Sequence, residues 1–391
     1  MICLISFFSV SSFSLVSPIL SLYAKDFAKA TIFEVGIITS AFFVASTSVK
    51  IPLGILGGGR RTPFTFALSL LLLMILPYSY TLAETSIGLA LVRMAHGVAF
   101  ALSVTVSLIL TPLTVPEQVR NRAVATYSVV TGIGLVTGSA AGTLSVVVWG
   151  LRSGFYVASG LAAPGFILGY EFTRRLYSIE KRWMLLNRPI KIDLYGKVCR
   201  VIKNKIFLAS FFACLAYFFT FGAVLAYVPL YASQNLQLPY YSIAAIFFGC
   251  YAATTVTRLP LNSLISKRRF SKEMLMFSAQ VLSVALISYA CLAAHQTLFA
   301  LAIVLFGVPQ GIIYPVGAMI ASESVSPSEH VLANSLYLVA WDLGLALGPA
   351  LTSTIASTSG ILSALAASST LPAFSAATIL YILIVKARNR A

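Results

Sequence analysis

VKIPLGILGGGRR, residues Val49–Arg61, is a stretch that this chain repeats. About 208 residues later Lys50, Pro52, Leu53 and Leu56 recur as Arg258, Pro260, Leu261 and Leu264, and the pair Arg60-Arg61 recurs as Arg268-Arg269. The same offset carries Leu22-Tyr23-Ala24 onto Leu230-Tyr231-Ala232. With the offset two residues longer, Ala123, Tyr127, Gly134, Leu135 and Gly138 fall on Ala333, Tyr337, Gly344, Leu345 and Gly348. One such match is within reach of chance in so apolar a chain. Three, in order and at nearly constant spacing, indicate a duplicated unit.

Hydrophobic residues make up 59% of the chain and charged residues 10%, against about a quarter charged in a water-soluble protein. That composition places the chain in a lipid bilayer as an integral membrane protein. The net charge of +16 does not point to nucleic acid, because the basic residues sit in the gaps between apolar runs. Five cysteines are scattered without CxxC or His-Cys spacing and read as small buried hydrophobes, with no metal and no cofactor implied.

A helix needs about 20 apolar residues to cross a bilayer. Twelve runs qualify, at roughly 1–22, 33–56, 64–83, 86–113, 123–147 and 153–172, then 206–230, 240–262, 273–294, 297–322, 330–358 and 364–385. The expected fold is all-α: twelve transmembrane helices in two six-helix bundles, 1–172 and 206–391, joined by a basic linker over 173–205. The first run lacks a basic start and a convincing cleavage site, and part of it is repeated later, so it reads as a retained span. Alternate gaps hold Arg60 and Arg61, Arg120 and Arg122, the group from Arg174 to Lys205, Lys267 to Lys272, and Lys386 to Arg390. The other gaps hold only Lys25, Lys29 and Arg152. The positive-inside rule then puts both termini and the linker in the cytoplasm of a multi-pass cell-membrane protein. With Trp183, Leu185 and Leu186 among its basic residues, part of the linker is expected as an amphipathic helix on the anionic inner leaflet, or else as a plain connector.

Parallel duplication of six-span halves around a long cytoplasmic loop suggests a transporter that rocks its halves about a central site. At the residue level the chain resembles the major facilitator superfamily, and its drug antiporters in particular. The family's loop signature after the second span is GxxxDxxGR[RK]. Gly54 takes its first position and Gly59-Arg60-Arg61 its last three, if the loop is two residues short. Gly58 stands where the family has aspartate. Arg93-Met94-Ala95-His96-Gly97 is similar to RxxQG in the fourth span, with histidine for glutamine. Gly134-xxx-Gly138-Ser139-xx-Gly142 is similar to the antiporter GxxxGPxxGG without its proline and its final glycine; Pro349 supplies the proline in the eleventh-span copy. The resemblance implies a fold in which the first, fourth, seventh and tenth spans line the solute path. It implies cytoplasmic gating by the loop signature, in which the missing aspartate leaves a different pair or a weaker gate.

Charges inside hydrocarbon cost about 2.5–3.5 kcal/mol on insertion scales, and so mark candidate sites. Arg93 lies about 10 Å into the fourth span. It either holds an anionic substrate, shifts a nearby carboxyl during proton coupling, or bonds to backbone at a broken helix. Asp342, deep in the eleventh span opposite Gly132 of the first half, is expected to take up the coupling proton, to pair with Lys50 or Arg258, or to hold a fixed interhelical hydrogen bond. Lys50 and Arg258, at equivalent repeat positions, either gate or snorkel. His96, one turn from Arg93, is a titratable neighbour or a packing residue. Tyr23, Tyr217, Tyr227, Tyr231, Gln310 and Tyr314 suit an amphiphilic solute, with an interfacial aromatic belt as the alternative for Tyr23 and Tyr231 near their span ends. Gly134, Gly138, Gly344 and Gly348 read as packing surfaces and pivots. There is no GxxxxGK[ST] phosphate loop and no clustered acids or metal ligands, so neither a nucleotide-driven pump nor a membrane enzyme is expected. The reading is a secondary transporter of a small solute with protons as coupling ion, exporting amphiphilic compounds. The alternatives are metabolite uptake on the same fold and a transport-inactive sensor.

Overall fold

The computed structural model describes all residues except 57–61, 179–193, 267–269, 327–328 and 389–391. The chain runs through α1 (Ile2–Asp26), α2 (Ile32–Leu56), α3 (Thr62–Ser79), α4 (Ser86–Leu113), α5 (Arg120–Trp149) and α6 (Ser153–Ser178). After the linker come α7 (Leu194–Lys203), α8 (Lys205–Gln234), α9 (Tyr240–Ser266), α10 (Lys272–Leu292) and the pair α11 (Gln296–Leu305) and α12 (Gly307–Glu323). The last elements are α13 (His330–Thr358), α14 (Ile361–Ser368) and α15 (Thr370–Arg388). No strand occurs among the described residues. Hydrocarbon offers no partner for backbone N–H and C=O groups, so each span must satisfy them within itself, which a helix does.

Among the described residues, eleven helical stretches are long and apolar enough to cross a membrane, one fewer than the twelve expected. The exception is α6. Its length suffices, but four glycines, two tyrosines and two serines between Ser153 and Tyr170 lower its mean hydropathy.

Duplication is visible in the backbone itself. Asp26 and Gln234 end α1 and α8, and Ile32 and Tyr240 start α2 and α9, both at the offset of 208. Thr62 and Lys272, Ser86 and Gln296, and Arg120 and His330 start equivalent helices at 210. Among the described residues, those with positive φ fall into two equivalent pairs: Lys29 (51°) with Gln237 (52°), and Gly150 (81°) with Gly360 (91°). Both glycines turn the chain between equivalent helices, in a conformation that other residues adopt only at a cost.

By its internal contacts the chain forms two units. The first comprises Met1–Ala30, Ala41–Asp193 and Pro239–Ala245; the second comprises Thr31–Ser40, Leu194–Leu238 and Ile246–Ala391. In the first, α1 packs on α5, α6 and α4, and α3 packs on α6. Within it the Tyr240 hydroxyl, at the start of α9, donates to the Asp26 carboxylate. In the second, α8 packs on α13, α12 and α15, and α10 packs on α15 and α12.

Glycines set the closest crossings. A Cβ on Gly134 would lie 2.9 Å from the Phe7 carbonyl oxygen, and one on Gly344 would lie 2.6 Å from that of Leu215. One turn on, a Cβ on Gly138 would collide with the Ser11 carbonyl, and one on Gly348 with that of Phe219. Each contact in one copy has its counterpart in the other. Close approach through small residues is the usual way for helices to associate in lipid.

The linker ends in α7, whose sequence LYGKVCRVIK places basic Lys197, Arg200 and Lys203 at three-residue spacing. Val201 is buried. Trp183, Leu185 and Leu186 lie outside the described residues. Arg200 Nε donates to Glu329 Oε1 at 3.0 Å, and Asn204 Nδ2 donates to the Ser324 carbonyl at 2.5 Å. Asn204 also caps α8 by accepting from the Ile206 and Phe207 N–H groups. The Arg200 guanidinium, with the Ser326 hydroxyl 2.9 Å away, holds the Glu329 carboxyl below the usual carboxylate range.

Two outcomes are expected. Gly348→Leu should lower the thermal midpoint of the purified protein, by the equivalent of about 1–3 kcal/mol or more for an overpacked crossing. Gly160→Ala, where an added Cβ meets nothing within 4 Å, should leave it unchanged or raise it slightly. A carboxyl with a depressed native pKa stabilises above its unfolded pKa of about 4.3, and that stabilisation disappears as pH falls through the native value. Thermal scans from about pH 6 to about pH 3.5 should therefore show a smaller acid loss in Glu329→Gln than in the unaltered protein.

Candidate functional site

In the first unit the candidate residues gather on one face of α4. The Thr85 hydroxyl accepts from the Gly88 N–H and fixes where the helix begins. From there Leu89, Arg93, His96, Phe100, Ser103 and Ser107 follow at three- and four-residue spacing, and all are buried. Arg93 is 1% exposed. Its Nη2 donates to Ser17 Oγ on α1 at 3.5 Å, and its guanidinium carbon stands 4.4 Å above the Phe42 ring of α2. Nε and Nη1 have no hydrogen-bond partner among the described residues. Cation–π contact offsets part of the cost of that burial.

The bend Tyr80–Leu82 before α4 tucks Tyr80 beneath the same face. The Tyr80 hydroxyl and His96 Nδ1 are 3.0 Å apart, while His96 Nε2 has no partner among the described residues. The wall facing α4 is rich in hydroxyls. Ser9 on α1 lies 3.3 Å from Ser103, and Ser6, Ser12 and Ser107 are buried hydroxyls with no partner among the described residues. Buried polar groups are usually paired, so each of these unpaired ones calls for water or a ligand.

In the second unit the candidates gather around Tyr314. The Arg258 guanidinium carbon is 5.3 Å from the Tyr314 ring, and its Nε is enclosed without a hydrogen-bond partner among the described residues. Trp341 meets Tyr314 edge-on at 5.1 Å and Phe218 at 5.3 Å. Tyr314 experiences both the Arg258 cation and the Asp342 carboxyl, and Asp342 is 3% exposed. Gln310, one turn before Tyr314, has its side-chain amide 3.2 Å from the Thr254 hydroxyl. The tenth span is broken here, between α11 and α12. The Tyr217 hydroxyl takes the Phe306 carbonyl at 2.7 Å, and Thr254 takes the Gly307 carbonyl at 3.0 Å.

The structure thus joins Arg93 with His96 on α4, joins Arg258 with Tyr314, sets Gln310 one turn before Tyr314, and buries Asp342 next to Trp341, which packs on Tyr314. It sets Tyr227 apart, near the C-terminal end of α8, where its hydroxyl donates to the Pro349 carbonyl at 2.7 Å against Gly36. Lys50 and Gly54 lie in the last turns of α2, and Arg60 and Arg61 are outside the described residues. Tyr23 is 1% exposed, stacked on Phe27 and edge-on to Phe155. Tyr80, Ser17, Phe42, Thr254 and Trp341 had not been singled out from the sequence, whereas Tyr217 had. The run of serines along α1 was a legible signal for part of this wall.

A family model described as Major Facilitator Superfamily matches residues 2–287 and again 251–391. No curated protein matches the chain. Among solved structures the chain is similar to a mutant of the nucleoside transporter NupG, with a TM-score of 0.77 and 14% identity over 97% of this chain and 98% of that one. A bacterial homolog of the human lysosomal transporter Spinster, inward-facing and occupied, gives a TM-score of 0.73 at 14% identity over 97% and 95%. At these identities the likeness shows the fold.

Tyr217→Phe should leave the Phe306 carbonyl without its hydroxyl donor. The expected cost is roughly 1–3 kcal/mol, read as a lower thermal midpoint, while Tyr381→Phe at an exposed site should cost nothing measurable.

Proposed function

The chain belongs to the Major Facilitator Superfamily, a transport fold without enzymatic activity, and on that premise we propose that it is a proton-coupled secondary transporter of small amphiphilic solutes. α6 completes twelve spans in two bundles of six. Both termini and the linker face the cytoplasm, since alternate gaps carry the lysines and arginines. Gly54, Arg60, Arg61, Lys50 and Arg258 work the cytoplasmic gate, and the glycine crossings of α1 with α5 and of α8 with α13 are the pivots.

One observation carries the reading of the site: Arg93 is a buried cation with two guanidinium nitrogens unpartnered among the described residues. A charge kept at that cost in a membrane helix supports a functional role. Arg93 receives an anionic or strongly polar group of the solute, which the stacked Phe42 and the α1 hydroxyls help to orient. His96 and Tyr80 hold the other edge of that site. Asp342, next to Trp341 in the chain and on the helix that packs on Tyr314 through that ring, takes the coupling proton, and Gln310 supports the broken span one turn before Tyr314. Tyr227 supports this path at the far end of α8. Export is the direction favoured by the antiporter-like glycine pattern of α5 and α13.

Proteoliposomes with an imposed pH gradient test this on a panel of labelled nucleosides, organic anions and amphiphilic dyes. Uptake or release that follows the gradient is expected. It should fall about ten- to a hundredfold in Arg93→Gln, the loss of a charge-assisted hydrogen bond worth about 1.5–3 kcal/mol. Asp342→Asn should retain solute exchange but lose its dependence on the pH gradient. Binding without movement, by protein shown to be folded, would overturn transport in favour of a sensor.

A further inference from the structure

In the second unit a cleft opens among α8, α10, α12 and α15, lined by Ile206, Ala209, Met276, Ile320, Ile379 and Ile382. It is a shallow groove open along one side, and its roughly 390 Å³ of empty space includes that open side. Met276 and Ile379 form a buried floor, and Ile206 is 43% exposed at the rim. The Ser210 hydroxyl, on the same wall, donates to the Gly317 carbonyl at 2.8 Å and so offers no free donor to the cleft. The interior suits a hydrocarbon chain.

Charge at its mouth selects the head that such a chain would carry. Lys205 immediately precedes the rim residue Ile206, and Lys203 lies at the end of α7. Both are exposed, and neither has a carboxylate partner among the described residues. Their neighbours differ: Arg200 is paired with Glu329, and Lys272 with Glu323. Glu273 also lines the cleft, on the α10 side beside Lys272, so the uncompensated positive charge sits on the α8 side. The amphipathic α7 leads directly into that corner.

We propose that this cleft binds an anionic phospholipid, with one acyl chain between Ile206, Ile320 and Ile382 and the phosphate at Lys203 and Lys205. The site is separate from the solute path. It rests on the proposed orientation only in placing the lipid in the cytoplasmic leaflet, where anionic lipids attract basic segments by about 1 kcal/mol per residue.

The test uses the full chain, purified in mild detergent and stripped of lipid. Phosphatidylglycerol, phosphatidylcholine and inorganic phosphate are titrated separately, and bound lipid is read by native mass spectrometry with the thermal midpoint in parallel. Phosphatidylglycerol should bind and raise the midpoint, phosphatidylcholine should bind at least tenfold more weakly, and phosphate alone should do neither. Lys205→Gln should weaken phosphatidylglycerol binding about fivefold, and Lys203→Gln with Lys205→Gln about thirtyfold. Ile320→Trp should block the chain and abolish the adduct with both lysines intact. Equal binding of both phospholipids would overturn the proposal, as would a midpoint shift by phosphate alone or unchanged phosphatidylglycerol binding in the lysine double variant. These readouts do not involve transport, so they fail or succeed independently of the carrier reading.

Discussion

The structure depends on two places where one helix backbone presses against another: Gly138 against the Ser11 carbonyl, and Gly348 against that of Phe219. Between helices in lipid there is no hydrophobic gain from association, because acyl chains are as apolar as leucine. What remains is dispersion at short range, and it requires side chains small enough to let backbones meet. α1 makes this possible in a second way. Ser9, Ser11, Ser14 and Ser17 return their hydroxyls to the carbonyls of Ile5, Phe7, Ser11 and Phe13, so a serine-rich helix offers a smooth, self-satisfied surface. α1 and α8 thereby become the central helices of their units.

On this shared frame the two copies differ in chemistry. Arg93 is matched by Ile303, His96 by Phe306 and Asp342 by Gly132, whereas Lys50 and Arg258 are both basic. The first unit buries a cation among hydroxyls and one aromatic ring. The second sets an acid, a cation and a group of aromatic rings around Tyr314. Packing contacts were kept in both copies because each crossing has one geometric solution. Titratable groups diverged because each is costly in hydrocarbon and persists only where it has a use.

Much of this was legible in the sequence, and for physical reasons. Span positions follow from apolar length, and duplication follows from matched residues, so the helix starts at Ile32 and Tyr240 keep the offset that Leu22 and Leu230 show. Arg93 and Asp342 stood out because charge is rare in an apolar run. Their surroundings were not legible. Phe42 and Ser17 reach Arg93 from other helices, and Tyr80 reaches His96 by a tight bend before α4 that resembles the end of a span. The packing of Tyr23 was equally hidden, since position near a helix end does not reveal that Phe27 and Phe155 cover it. The sixth span was expected from its length, whereas the glycines of α6 leave it short of the hydropathy of the other eleven.

The broken tenth span shows how a common crossing becomes a specialised one. Gly97 presses on the Phe42 carbonyl and Gly307 on the Cys250 carbonyl, equivalent contacts of α4 with α2 and of the tenth span with α9. α4 nevertheless runs on unbroken, while the tenth span is interrupted at Phe306. Two residues past the shared glycine stands Pro309, which has no N–H to give the Leu305 carbonyl. A break in hydrocarbon is tolerated only where neighbours answer the backbone. Tyr217 and Thr254 do so for Phe306 and Gly307, and Thr254 also holds Gln310. The second copy has therefore turned a packing contact into a polar node at mid-span, one turn from Tyr314 and its neighbouring charges, where the first copy has a continuous helix and a buried histidine.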